Sequence, residues 1–169
     1  MSYLDYEVNK RVVWVLIWPG MVVLCVSQIY WSMEVQNVLM THMLSAMETL
    51  YANLMSQVLE MVELVRGQLS KQNRTTLNAV ITLDVHAMDV VKSLIDKKIT
   101  DETDFEWLAQ LRYYWEDDVF VRIIYTTVPY AYEYIGNCPR LVITPLTDRC
   151  YRTLIGAYSL HLNGAPEGP

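Results

Sequence analysis

Between Glu34 and about Arg66 the chain has neither proline nor glycine, and apolar residues recur at Met40, Leu44, Met47, Tyr51, Leu54, Val58, Met61 and Val65. The steps alternate four and three, the seam of a helix packing at a shallow angle on another. Leu50, Met55, Leu59 and Val62 widen the stripe. A broad stripe predicts a helix inside a bundle rather than an isolated two-stranded coiled coil. The methionines along it read as adaptable core filler. Gly67 to Arg74 is polar and breaks the pattern. A second helix is predicted over 75–98, with Leu77, Val80, Ile81, Met88, Val91, Leu94 and Ile95 on one side. Thr103-Asp-Phe-Glu106 then matches a capping box, and Trp107, Leu108 and Leu111 supply the apolar face of a short third helix.

Beyond Arg112 the period changes. Val119 to Tyr125 is β-branched and aromatic, interrupted by Arg122, and Val128 to Ile135 alternates, with Tyr130, Tyr132 and Tyr134 on one face. Both read as strands, and Pro129 favours an edge position. Gly136-Asn-Cys-Pro139 reads as a turn, and Leu141-Val-Ile143 as a short apolar run. Thr144 is placed to cap a helix with Pro145 at its first position and Asn163-Gly164 at its end. That helix is expected to bury Leu146, Cys150, Leu154 and Ala157. The fold class expected is mainly α: a helical bundle over 1–111, then a small α+β segment over 112–169 with short strands and a helix.

Val12 to Met33 is a run of 22 uncharged residues behind Lys10 and Arg11, long enough to span a bilayer. Pro19-Gly20 sits in its middle as a turn, Ser27 and Gln28 add polar cost, and four aromatic residues are spread through it rather than gathered in two belts. Asp5 and Glu7 spoil a signal peptide. The run is read as a short buried strand or helix end at Val12–Trp18, a turn, and a helix entered after Pro19-Gly20. Met21–Lys98 is expected to form antiparallel bundle helices with Leu54 and Val58 buried.

Composition adds exclusions. Hydrophobic residues make up 53% of the 169 and charged residues 19%, which rules out intrinsic disorder. A net charge of −6 argues against a partner bound by phosphate neutralisation, so no nucleic acid is expected. Cys25, Cys138 and Cys150 are odd in number and form no C-x-x-C, so neither a disulfide framework nor a zinc site is expected. Asp84, His86 and Asp89 share the second helix, but no histidine pair has the i, i+4 spacing of a metal site. The twelve tyrosines are read as packing groups with a polar tip.

Three tracts carry a family resemblance. Phe105-Glu-Trp-Leu-Ala-Gln-Leu-Arg-Tyr-Tyr-Trp115, Val128-Pro-Tyr-Ala-Tyr-Glu-Tyr-Ile-Gly136, and Arg140-Leu-Val-Ile-Thr-Pro-Leu-Thr-Asp-Arg-Cys-Tyr-Arg-Thr-Leu154 with Gly164–Pro169 resemble the junction between the linker and the first AAA+ module of dynein heavy chains. Trp18–Trp31 and Val62–Lys71 resemble late helices of the same linker, and Ala165-Pro-Glu-Gly-Pro169 resembles the axonemal class. The run Val119–Thr127 departs from the family's usual residues.

The resemblance implies a mechanical role. The dynein linker is a helical lever across a ring of AAA+ modules, and it bends and straightens as the first module turns over ATP. Leu141, Val142, Pro145 and Leu146 would lie on the adenine side of that first ATP site, and Gly168 and Pro169 would open the phosphate loop. ATP with Mg is the cofactor implied for the full-length parent, and none for the isolated chain. The implied partners are the rest of the heavy-chain ring and, through the parent complex, intermediate and light chains and microtubules, in a ciliary or flagellar axoneme. No membrane partner is implied. The Walker pattern G-x-x-x-x-G-K-[ST] is cut off after Pro169, and a fragment or partial gene model is the expected origin, so the isolated chain should neither bind nor hydrolyse ATP. Phe105–Tyr134 is expected to join lever to ring, packed by Trp107, Trp115 and the tyrosines. A stand-alone helical interaction module and a small membrane protein are the alternatives.

Overall fold

In the computed structural model, which describes residues 8–134 and 140–167, the apolar run at 12–33 is divided at Trp18-Pro19. Helix α1 (Val8–Ile17) precedes the break and α2 (Gly20–Leu39) follows it. Among the described residues no helix is long and apolar enough to cross a membrane. α1 is a helix with one inward face, not a buried strand: Val15 is buried while Val13 and Ile17 are exposed.

The predicted stripe over 34–66 is two helices rather than one. The chain turns back at Met40–Met43, so α2 ends at Leu39 and α3 runs Leu44–Arg66. His42 sits in the left-handed region at φ 54°, and Thr41 Oγ1 donates to Val38 O at 2.6 Å and accepts from Met43 N at 3.3 Å. Met40, assigned to the seam, is therefore an exposed end residue. Helix α4 (Lys71–Asp96) starts four residues before the predicted position, because Ser70 caps it by accepting from Asn73 N at 3.1 Å. Its end is closed by Lys98 at φ 56°, with Ile99 N donating back to Leu94 O at 2.9 Å.

Two apolar clusters fix the antiparallel order. Leu39 at the end of α2 meets Met47 at the start of α3 and Leu94 at the end of α4, together with Trp31, Val35, Leu50, Leu54 and Val91. At the other end, Val15 of α1, Val23, Met61, Leu77 and Val80 form the second cluster. Leu54 and Val58 are buried as expected, each contributing roughly 1.5–3 kcal/mol of burial.

Helix α5 (Phe105–Leu108) is a single turn. Asp104, not Thr103, caps it by accepting from Glu106 N at 2.8 Å, while Thr103 donates its hydroxyl to Asp101. A three-stranded antiparallel sheet follows: β1 (Arg112–Trp115), β2 (Val119–Ile123) and β3 (Thr126–Pro129), in that order. β1 has no counterpart in the sequence reading. The β2–β3 turn places Ile124 at φ 53°, a strained position for a β-branched residue, held by Ile124 N donating to Leu108 O at 2.6 Å. β3 is an edge strand, so Pro129 withholds no interior ladder bond. The predicted strand over 128–135 stops at Pro129 in the described part; Ile135 and the predicted turn at 136–139 lie outside the described residues. The last helix, α6, spans Pro145–Ser159.

Candidate functional site

The approach to α6 is extended and open. Leu141 and Val142 are 83% and 73% exposed, Leu146 is 70% exposed, and Pro145 at the first helical position is exposed too. Gly168 and Pro169 lie outside the described residues. Thr144 makes the predicted start: its hydroxyl accepts from Thr147 N at 3.4 Å, and Thr147 Oγ1 accepts from Thr144 N at 3.3 Å. The end comes earlier than Asn163-Gly164. His161 takes the left-handed conformation at φ 57°, and Leu162 N donates to Ala157 O at 2.9 Å. α6 has no fully buried residue. The expected burial of Leu146, Cys150, Leu154 and Ala157 is therefore corrected: the first three are exposed and Ala157 is half-buried. The helix is amphipathic, but its apolar side has little to pack on beyond β3.

The root of this segment is packed quite differently. Trp107 of α5 is fully buried and meets Trp31 of α2 edge to face, with ring centroids 5.5 Å apart. Arg112 is buried at the start of β1, its guanidinium 5.6 Å from the Trp107 ring and 5.8 Å from the Tyr114 ring. It donates to Tyr114 Oη at 3.1 Å and to Leu108 O at 3.4 Å. On the next strand Arg122 stacks on Tyr114 at 4.8 Å and pairs with Glu116 at 2.8 Å. β1 is pinned to the bundle where Tyr113 N donates to Ser32 Oγ at 2.9 Å. Burial, helped by Tyr130 and Cys25, pushes the Tyr113 phenol up to about 12. Burial likewise pushes the Cys25 thiol up to about 11, which makes it a packing group rather than a nucleophile. Trp115, expected beside Trp107 in this joint, is instead 50% exposed. It lines a small apolar cavity of about 150 Å³ with Met21, Cys25, Val119 and Tyr130.

Residues 130–169, which contain the exposed approach and α6, match a family model described as the hydrolytic ATP binding site of the dynein motor region. The whole chain is similar to much longer proteins. It is 58% identical over 169 residues to dynein axonemal heavy chain 12 of Rattus norvegicus, covering 99% of this chain and 5% of the relative. It is 55% identical over 160 residues to dynein axonemal heavy chain 3 of Homo sapiens, covering 92% and 4%. Against dynein axonemal heavy chain 1 of Mus musculus the figures are 48% over 170 residues, 100% and 4%. The chain belongs to the axonemal dynein heavy-chain family.

It spans 5% of the length of the first of these relatives. Within this dynein segment the structure brings Leu141, Val142, Pro145 and Leu146 to one open stretch at the start of a capped helix. That surface is apolar and accessible. Among the described residues no group of histidines, cysteines and acids could hold a metal ion. The tight root around Trp107 and Arg112 was only half visible in the sequence. The sequence singles out Trp107 as a packing residue and marks Arg112 only as the point where the period changes. The signal was a lone arginine flanked by Leu111 and three aromatic residues, Tyr113, Tyr114 and Trp115.

Proposed function

We propose that this dynein segment is the root of the linker, over 1–111, running into the adenine side of the first ATP site, over 112–169. The observation that carries the proposal is the exposure of Leu141, Val142 and Leu146 inside the region matched to the dynein ATP-binding model. A stretch this apolar and this open is complete only when something covers it, and in the motor the adenine and the rest of the module would do so. When bound, ATP supplies the phosphoanhydride bond whose cleavage powers the motor. Leu141, Val142 and Leu146 contribute shape and water exclusion, and Pro145 and Thr144 fix the backbone on which they stand. The phosphates and Mg would be held by residues beyond those described. The segment would act in the heavy-chain ring and, through the parent complex with its intermediate and light chains, on microtubules of the ciliary or flagellar axoneme.

The test is nucleotide affinity in the full heavy chain carrying Leu146→Asp. The side chain is exposed, so folding should be spared, while a lost apolar contact of roughly 1.5 kcal/mol or more weakens ATP about tenfold. Unchanged affinity in Leu141→Asp and Leu146→Asp alike would refute the adenine-side assignment. Calorimetry of the 169-residue chain with Mg-ATP is the companion measurement. The donors and charge that dominate phosphate binding are not among the proposed residues, so no useful affinity is expected. A micromolar constant would show that the site lies elsewhere in the chain.

A further inference from the structure

The chain leaves the sheet through a strained residue. Beyond Pro129 the sequence still alternates as a strand would, with Tyr130, Tyr132 and Tyr134 in step. Tyr132 nevertheless stands in the left-handed region at φ 53°. For a bulky aromatic residue that backbone is unfavourable and persists only where the surroundings hold it. The Tyr132 hydroxyl donates to Asp118 Oδ1 in the β1–β2 turn. Val119 N, at the start of β2, donates to the same carboxylate at 2.7 Å and to Tyr132 Oη at 3.4 Å. The Tyr132 ring stands edge to face on Tyr130, centroids 5.1 Å apart. Tyr130 N donates to Val119 O at 2.9 Å, and its ring lies 6.1 Å from that of Tyr113. Tyr113 N is bonded in turn to Ser32 of α2. The rings of Tyr113, Tyr130 and Tyr132 thus form one layer that starts on the bundle and ends at the bond to Asp118. Tyr113 and Tyr130 are half-buried, whereas Tyr132 is 51% exposed. The closing bond is therefore the weak point of the layer. α6 packs against β3 beside it. Arg140, at the head of the approach, lies close enough to the Tyr113 and Tyr130 phenols to favour their ionised forms, and Tyr151 of α6 lies close enough to Tyr113 to oppose it. No residue of α6 is fully buried, so the helix depends on the few neighbours it has.

We propose that Tyr132 is a positioning residue: its bond to Asp118 latches a strained turn, and the latch seats α6 and its approach on the linker root. With the bond made, the turn at Tyr132 keeps Tyr130 in the layer. With it broken, the backbone relaxes to an ordinary conformation, the chain leaves the sheet in another direction, and Tyr130 loses its edge contact. α6 is then held less closely. The sheet is unchanged, because its ladder ends at Pro129. That the seated element is the adenine side of an ATP site rests on the reading above; the latch itself holds without nucleotide.

Hydrogen exchange of the 169-residue chain without nucleotide tests this. Tyr132→Phe keeps the ring and removes the bond. Exchange over 145–159 should quicken by about three- to tenfold, the worth of one hydrogen bond, while exchange over 112–129 stays as in the wild type. Tyr134→Phe, two residues on and 80% exposed, should change neither. The strain has a readout of its own. Tyr132→Gly and Tyr132→Ala both lose ring and bond, but glycine takes a positive φ at no steric cost, so the glycine variant should hold α6 better than the alanine variant. Unchanged exchange over 145–159 in Tyr132→Phe would overturn the proposal, as would equal quickening of helix and sheet, or an alanine variant that holds α6 as well as the glycine one. None of these readings involves ATP affinity, so the latch and the adenine-side assignment fail or stand separately.

Discussion

Replacing Trp107 with alanine removes the side chain on which bundle and sheet meet. It is 0% exposed, stands edge-on to Trp31, and carries Arg112 on its ring. Truncating a fully buried tryptophan costs about 3–5 kcal/mol. Two local features modify that figure in opposite directions. Arg112 is buried with no partner on its Nε, and no described carboxylate pairs with it. It would lose a cation–π contact worth about 2 kcal/mol when desolvated. Against this, the Trp107 Nε1 is itself buried without an acceptor, and deleting it relieves a penalty of about 1–3 kcal/mol. The corrections roughly cancel, so the cost stays at about 3–5 kcal/mol, out of a total that for a domain is about 5–15. Urea unfolding followed by far-UV circular dichroism should show the midpoint falling by about 2 M, for a slope of about 1–3 kcal/mol per molar. Trp107→Phe keeps a ring for Arg112 and removes the orphan N–H, so it should lose less than half as much. Trp115→Ala, at a half-exposed position, should cost about 1 kcal/mol or less. Equal shifts for Trp107→Ala and Trp115→Ala would refute the reasoning. In the full motor, Trp107→Phe should then reduce microtubule gliding more than ATP turnover if this root transmits force.

Two further perturbations probe the neighbouring elements. Tyr113 is half-buried and its phenol is pushed up to about 12 in the fold, whereas the unfolded chain ionises near the ordinary value of about 10. Stability should therefore be lost as pH rises above 10, by about 2 kcal/mol near pH 12. Tyr113→Phe should lose correspondingly less between urea midpoints taken at about pH 9 and about pH 11; an equal loss would place Tyr113 in solvent. Thr144→Ala removes the hydroxyl that accepts from Thr147 N, while Thr144 N can still donate to Thr147 Oγ1, and should cost about 1 kcal/mol locally. Faster hydrogen exchange over 145–150 with an unchanged global midpoint is expected, since α6 buries no side chain fully; a falling global midpoint would contradict it.

The bundle was legible where side-chain period alone decides, as at Leu54, Val58, Leu77 and Val91. Its reversals were not. The seam steps from Met40 to Leu44 without losing phase, so a chain that turns back between them looks like one that continues. The usual flag of a turn is glycine or proline, because they tolerate or impose the backbone a turn needs. Here His42, Lys98 and His161 take the left-handed positions instead. β1 was missed for a related reason. Its four residues, Arg112, Tyr113, Tyr114 and Trp115, are all large and show no apolar–polar alternation. Its place is set by tertiary bonds to Ser32 and by pairing with β2.

Trp115 and the apolar side of α6 were misplaced for one common reason. Pattern reports that a residue wants burial, and the partner that provides it need not lie in the same 169 residues. At Trp107 the partner is present: Trp31 comes from α2 and Arg112 from β1, and the site closes on itself. At α6 the stripe of Leu146, Cys150 and Leu154 has the same period and no comparable cover. The two ends of this dynein segment therefore ask for different things. The root carries its own stability and should keep its geometry whatever the rest of the heavy chain does. The α6 region, on the proposed reading, takes its final packing from nucleotide and ring, so its position can report their state. On that proposed reading the base of the lever would hold both a rigid joint that does not absorb force and a lightly held element whose seating could change with the site it faces.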